Sequence, residues 1–126
     1  MAGMKTLRRG MIIDVNLDPT LGSETGKIRP CIIVTNDVYN KRVPVIQVVP
    51  ITAWSAVKAR IASNVEIHPS QGNGLIKKSI ADCLQTRPID HRKRMVQIRG
   101  ELSSAKLEEI DRSLRIVFEL KYPPLH

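Results

Sequence analysis

Gly10-Met11-Ile12-Ile13-Asp14-Val15-Asn16-Leu17 and Pro30-Cys31-Ile32-Ile33-Val34, separated by a polar loop bracketed by Gly22 and Gly26, decide the fold. In the first stretch Ile13, Val15 and Leu17 alternate with Asp14 and Asn16, the period of two expected of a half-buried strand over residues 10–17. The second is a short, continuous, largely β-branched apolar run, as expected of a strand covered on both faces. Asp18-Pro19 closes the first strand, and Asn36-Asp37 opens a turn after the second.

Working outward, Val43 to Val49 reads as a third strand. Its flanking prolines, Pro44 and Pro50, suit an edge or a bulge, since proline cannot donate to a ladder. Thr52 falls just past its end. Residues 55–62 can form one or two helical turns, Val65 to Ile67 a brief strand, and 69–74 a loop. Ser79 to Leu84, Arg87 to Asp90 and Met95 to Arg99 read as further strands, with Gln85 carried inside strand structure. Short strands, short loops and no alternating helices predict a mainly β fold, a small antiparallel barrel with a C-terminal helix. In that helix Leu107, Ile110, Leu114, Val117 and Phe118 form an apolar stripe. Ser103 or Ser104 caps it, Glu108/Arg112 and Asp111/Arg115 are favourable i, i+4 pairs, and Pro123-Pro124 stops it. With 126 residues and no repeat or linker, the expectation is a single domain over 1–126.

Twenty Lys and Arg against twelve Asp and Glu give a net charge of +8, which favours a polyanionic partner. The excess is local: Lys77, Lys78, Arg87, Arg92, Lys93, Arg94 and Arg99 face only Asp82 and Asp90 between residues 77 and 99. Any one of these is simply a solvated cation; the cluster points to nucleic acid. Cys31 and Cys83 sit among apolar neighbours without CxxC or Cys/His spacing and read as reduced core residues, so neither a disulfide nor a metal site is expected. His68, His91 and His126 lack the mutual spacing of a catalytic pair and read as surface residues. The first nine residues carry charge without an apolar core segment, and no apolar run approaches membrane length, so a cytoplasmic protein without membrane association is expected.

The loop between the two opening strands, Gly22-Ser23-Glu24-Thr25-Gly26-Lys27-Ile28-Arg29-Pro30, is suited to holding an anionic group. With Val49-Pro50-Ile51-Thr52 it offers a guanidinium and a hydroxyl, each at one end of an apolar run, and together they suggest a phosphate-handling site. Taken singly, each residue has a plainer account. Arg29 could pair with a carboxylate, Thr52 could bond the local backbone, Ser23 and Glu24 could be turn residues, and Gln85 a satisfied polar group.

The ordered set Gly10/Ile12, Val15/Leu17/Pro19, Gly22 to Glu24, Lys27, Arg29-Pro30, Asn36-Asp37, Pro50-Ile51-Thr52, Gly74-Leu75, Ser79, Gln85, Arg87, Ile89-Asp90, Gly100/Leu102 and Ile110-Asp111 resembles the MazF/PemK toxins, from about Leu7 to Leu120. The resemblance implies an SH3-like barrel working as a homodimer. It implies a ribosome-independent endoribonuclease that cuts single-stranded RNA at short sequences, needs no cofactor and is neutralised by a cognate MazE/PemI-like antitoxin. It makes Arg29 and Thr52 the catalytic pair, and places Ser23, Glu24 and Gln85 close to or against the RNA; Lys27 and Arg87 are further RNA-binding candidates. One position departs from the pattern: several members carry an acid immediately before the position of Gln85, where this chain has Leu84. Asp82 shares a face with Leu84 if the segment is a strand, but lies roughly 6.6 Å away along it.

The chemistry suits these residue types. RNA supplies its own nucleophile, the 2′-hydroxyl, so the task is to align it and stabilise charge at phosphorus. A guanidinium can donate two hydrogen bonds to phosphate oxygens at once and is a poor general base, which assigns Arg29 to the transition state. Thr52 would position the phosphate or the 2′-hydroxyl. Only Tyr39, Trp54, Phe118 and Tyr122 are aromatic, so base recognition should rest mainly on hydrogen bonds rather than on a stacking platform. Two other readings use the same features: a toxin of this fold that poisons a protein such as gyrase, and a basic nucleic-acid-binding barrel that cuts nothing.

Overall fold

The computed structural model describes residues 6–121. Seven strands make one antiparallel sheet: β1 (Met11–Asn16), β2 (Ile28–Ile33), β3 (Val45–Ala53), β4 (Asn64–Ile67), β5 (Ser79–Asp82), β6 (Arg87–Asp90) and β7 (Met95–Glu101). Their order is β4-β5-β3-β2-β1-β7, with β6 also paired to β3. One-turn helices α1 (Asp37–Asn40), α2 (Ala56–Ala59) and α3 (His91–Arg94) join strands, and α4 (Ser104–Phe118) follows the sheet. This is the barrel-like, mainly β architecture with a C-terminal helix that the strand pattern predicts, although the sheet does not close.

Two apolar clusters explain why β1 and β2 are so uniformly apolar. Ile12, Ile32, Val49 and Ile51 face one cluster, which Ile110 of α4 completes. Ile13, Val15, Cys31, Ile33 and Val48 face the other, closed by Ile46, Ile89 and Leu17. The sheet therefore buries both faces, and the expectation of a half-solvated first strand is corrected: Asp14 is 4% exposed. Its charge is met by Arg99, whose Nε and Nη2 donate to the two carboxylate oxygens at 2.8 and 3.0 Å, with Gln97 adding a third bond at 2.6 Å. Burial alone would raise the Asp14 carboxyl; the bonds and charge of Arg99, with Gln97, outweigh it and hold the group below its ordinary value. Desolvation pushes the buried Cys31 thiol up to about 12, and Cys83 also upward, the state of inert core thiols.

The third strand is longer and more central than its prolines suggest. It pairs with β2 along one side and, along the other, with β6 through Val45 to Val48 and then with β5 through Ile51 to Ala53. Pro50 sits in the gap between those two partners, where a missing N–H breaks no ladder on that side. Thr52 is consequently inside β3, not beyond it. The segment after β5 also differs from expectation. Cys83–Gln85 is a 3-10 turn, so Gln85 is not in a strand and Asp82 and Leu84 are not alternate residues of one face. Three separate strands, β5, β6 and β7, occupy this region, as the sequence pattern predicts.

Ser103 caps α4 through its hydroxyl, which accepts from the Lys106 N–H at 3.2 Å. Ile110 is fully buried and Leu107, Leu114 and Val117 pack beside it, while Phe118, assigned to the same stripe, is 57% exposed. Left-handed Glu119 ends the helix, its N–H bonding back to Ile116. The expectations for Tyr122, Pro123-Pro124 and His126 lie outside the described residues. Two side chains of α4 also satisfy backbone carbonyls at the outer strand: Lys106 donates to Glu66 at 3.0 Å and Ser113 to Ser63. A free strand edge is thereby covered.

Candidate functional site

The β2/β3 pairing register brings the distant Arg29 and Thr52 together. In β2 and β3 the partners run Ile33↔Val48, Ile32↔Val49 and Cys31↔Pro50. Two further steps set Arg29 opposite Thr52 on the same face, just beyond the last paired residues of that ladder. Between the parted strands lies a pocket of about 220 Å³, lined by Arg29, Thr52, Ala53, Lys77, Ser79 and Arg99 among others.

Arg29 is half-buried and aimed by its neighbours. Its Nε donates to the Gly26 carbonyl at 3.1 Å, and among the described residues nothing bonds its two terminal nitrogens, leaving the fork available. A Cβ at Gly26 would lie 2.6 Å from Asp18 Oδ1 and 2.7 Å from Thr20 Oγ1, so a larger residue would displace those two side chains. Thr52 is 8% exposed, and its hydroxyl lies 3.4 Å from the ammonium of Lys58, carried on α2. Sequence spacing held no signal for Lys58, because the contact depends on α2 folding back over the end of β3. The pocket wall is stiffened by Arg99, held on buried Asp14 and donating through Nη1 to the Gly74 carbonyl at 3.0 Å. Gly74 adopts φ +71°, and a Cβ there would come within 2.4 Å of the Arg99 carbonyl.

The residues expected near RNA fall into a second group. Glu24, Gln85 and Arg87 line a neighbouring pocket of about 330 Å³, together with Leu84. The side-chain amide of Gln85 accepts from the Thr25 N–H at 3.2 Å and donates to the Ser23 carbonyl at 3.1 Å. Glu24 accepts from the Leu21 N–H at 2.8 Å, and Arg87 donates to the Leu17 carbonyl at 3.0 Å. These side chains thus shape the 22–27 loop, whose Ser23 and Lys27 are exposed, Lys27 in the left-handed region at φ +68°. The same loop contacts Arg29 through Gly26, so it links the two pockets. Asp82 lines neither of them.

The basic run from 77 to 99 does not form one patch. Lys77 enters the Arg29 pocket, and Lys78 sits 4.1 Å above the Trp54 ring. Arg94 bonds the Asn16 and Asp18 carbonyls at 3.0 and 2.7 Å, Arg92 lies 3.7 Å from Asp90, and Arg99 is committed to Asp14. Strand reversal spreads the seven charges over different faces. His68 is exposed and 3.0 Å from Glu66, and His91 is half-buried on α3.

A sequence profile of the PemK-like, MazF-like toxins of type II toxin–antitoxin systems matches residues 8–118. Among solved structures, MazF from Deinococcus radiodurans superposes with a TM-score of 0.78 at 20% identity, covering 92% of this chain and 99% of that one. The Mycobacterium tuberculosis toxin MazF-mt6 gives 0.72 at 23% identity, covering 89% and 99%. An endoribonuclease in complex with its cognate antitoxin from a mycobacterial species gives 0.70 at 19% identity, covering 91% and 97%.

Proposed function

The chain belongs to the PemK-like, MazF-like toxins of type II toxin–antitoxin systems, and from that premise we propose that it is a single-domain, sequence-specific endoribonuclease acting on single-stranded RNA in the cytoplasm, independently of ribosomes, and so arresting growth. The observation that carries this reading is the pocket shared by Arg29 and Thr52, with the guanidinium fork left open and Lys58 and Lys77 beside it. That arrangement fits a phosphodiester: two parallel donors from Arg29 to the non-bridging oxygens, with ammonium groups to balance the charge. The 2′-oxygen attacks the adjoining phosphorus and the P–O5′ bond breaks, giving a 2′,3′-cyclic phosphate and a 5′-hydroxyl. The proton leaving the 2′-oxygen is matched by one gained at O5′. Arg29 stabilises charge on the pentacoordinate phosphorus, and the Thr52 hydroxyl orients the phosphate or the nucleophile. Ser23, Glu24, Lys27, Gln85 and Arg87 form or shape the surface that reads neighbouring nucleotides.

A homodimer extends this short groove, and an acidic antitoxin segment that folds on binding blocks it. An antitoxin is seated on the mycobacterial endoribonuclease of the same fold, which supports a partner of that kind here. The test is incubation of the purified protein with protein-free RNA in excess EDTA. Discrete fragments with 5′-hydroxyl ends are expected, and a substrate with 2′-deoxyribose at the scissile nucleotide should bind and stay intact. Intact RNA would favour the protein-poisoning or purely binding readings, and undiminished cutting of the 2′-deoxy substrate would reject the 2′-hydroxyl route.

A further inference from the structure

Beside the Arg29–Thr52 pocket stands a second constellation that the catalytic reading does not use. The β3/β5 register runs Thr52↔Ile80 and Ala53↔Ser79, and one step beyond the ladder sets Trp54 opposite Lys78. The β4/β5 register sets Ile67 against Ser79 and Glu66 against Ile80, so Lys78, Trp54 and Glu66 lie on one face with Thr52. The contacts agree with this placement. The indole N–H donates to the Glu66 carboxylate, Lys78 Nζ lies 4.1 Å from the ring centroid and 3.6 Å from Glu66 Oε1, and His68 holds the other carboxylate oxygen at 3.0 Å.

A tryptophan held in this way is unusual at a surface. Its polar edge is tied, a cation lies over the ring, and 37% of the residue is still open to solvent. Burial of the core does not require it, since Trp54 belongs to neither apolar cluster. Its chain neighbour Ala53 and the two neighbours of Lys78, Lys77 and Ser79, all line the Arg29–Thr52 pocket. Trp54 follows Thr52 by two extended residues, roughly 6.6 Å along the same side. An aromatic plane at that separation from a phosphate site, flanked by Lys77 and Lys78, has the makings of a stacking subsite for a single-stranded chain.

We propose that Trp54 is the platform on which an unpaired RNA base next to the scissile phosphate stacks, with Glu66 and Lys78 fixing the ring and Lys77 and Lys78 meeting the adjoining backbone. The subsite rests on the endoribonuclease reading and deepens it by giving the substrate a stacked base at a defined distance from the cut. Because every base has a π-face, the contribution is to affinity and alignment more than to base identity, which hydrogen-bonding groups must supply.

Trp54 is the sole tryptophan of the chain, so indole emission reports on this site alone. The probe is an oligoribonucleotide built on a cleavage site found in a total-RNA digest, with 2′-deoxyribose at the scissile nucleotide to prevent cutting. Its binding to the intact protein should quench Trp54 emission. An abasic residue at one position beside the scissile phosphate should abolish the quench and weaken binding about 5- to 150-fold. Trp54→Leu should lose a similar factor and become indifferent to that abasic residue, whereas Trp54→Phe should recover part of the affinity and of the sensitivity. Circular dichroism would confirm that the variants fold. A merely structural Trp54 would leave the abasic effect unchanged in Trp54→Leu. RNA that is cut and bound with no change in emission and no abasic position coupled to Trp54 overturns the subsite and leaves the nuclease standing. Failure of the wild-type protein to cut or bind any RNA overturns both.

Discussion

At the scale of single residues, the account turns on which groups touch the phosphate and which hold others in place. Thr52 offers only a hydroxyl, so Thr52→Ala should slow single-turnover cleavage by about 10- to 100-fold while Thr52→Ser keeps most of the rate. Lys58→Ala, removing the exposed ammonium 3.4 Å from that hydroxyl, should cost less, about 10-fold or below. Asp14 acts at one remove, through Arg99. Its folded-state pKa lies below the ordinary 3.8, so its contribution is complete above that value and is lost as pH falls through the lower folded value. The stability gap between wild type and Asp14→Asn, read by denaturant melts, should therefore be constant near neutrality and close as pH drops below about 4. At neutral pH, removing the carboxylate should cost about 2–3 kcal/mol, because Arg99 is left unpaired at the pocket wall. The sequence marked Arg29 and Thr52 as a guanidinium and a hydroxyl at the ends of apolar runs, and as members of an ordered motif set; Asp14 looked like the wet side of an alternating strand. Its buried pairing is decided by β7, some eighty residues away, which no local pattern reveals.

At the scale of elements, hydrophobic period located strands and the last helix well, because β1, β2 and α4 each bury a continuous apolar surface. It failed where a partner, not the segment itself, sets the structure. Pro50 looked like an edge marker, yet it occupies the change of partner from β6 to β5 within the most connected strand. Gln85 looked like a strand residue, yet the 3-10 turn frees its amide to hold the 22–27 loop from both sides. Those two hydrogen bonds tie the loop beside Arg29 to the turn. Gln85→Ala should cost only about 1–2 kcal/mol locally, with a small change in Tm. It should nevertheless speed limited tryptic cleavage after the exposed Lys27 several-fold, a readout of loop opening. Equal trypsin sensitivity in the two proteins would show that the loop is held by other contacts.

At the scale of the molecule, the net charge of +8 favours a polyanionic partner, but the structure distributes it. A linear run of basic residues was visible in the sequence; its dispersal by strand reversal was not, since Arg87, Arg94 and Arg99 are spent on carbonyls and a carboxylate. Affinity is therefore spread over several exposed cations and should fall steeply with salt. For the proposed homodimer, light scattering at micromolar concentration should give twice the 14.1 kDa chain mass; a monomer mass would contradict it. The proposed chemistry, by contrast, is confined to one pocket, which separates binding from rate. The decisive measurement is the single-turnover cleavage rate of folded Arg29→Ala and Arg29→Lys proteins set beside their affinity for the uncleavable 2′-deoxy analogue. The account predicts a rate loss of about 10²–10³ or more for both, since a point charge cannot replace the fork, with affinity changed far less. A folded Arg29→Ala protein that cuts within a few-fold of wild type would contradict it.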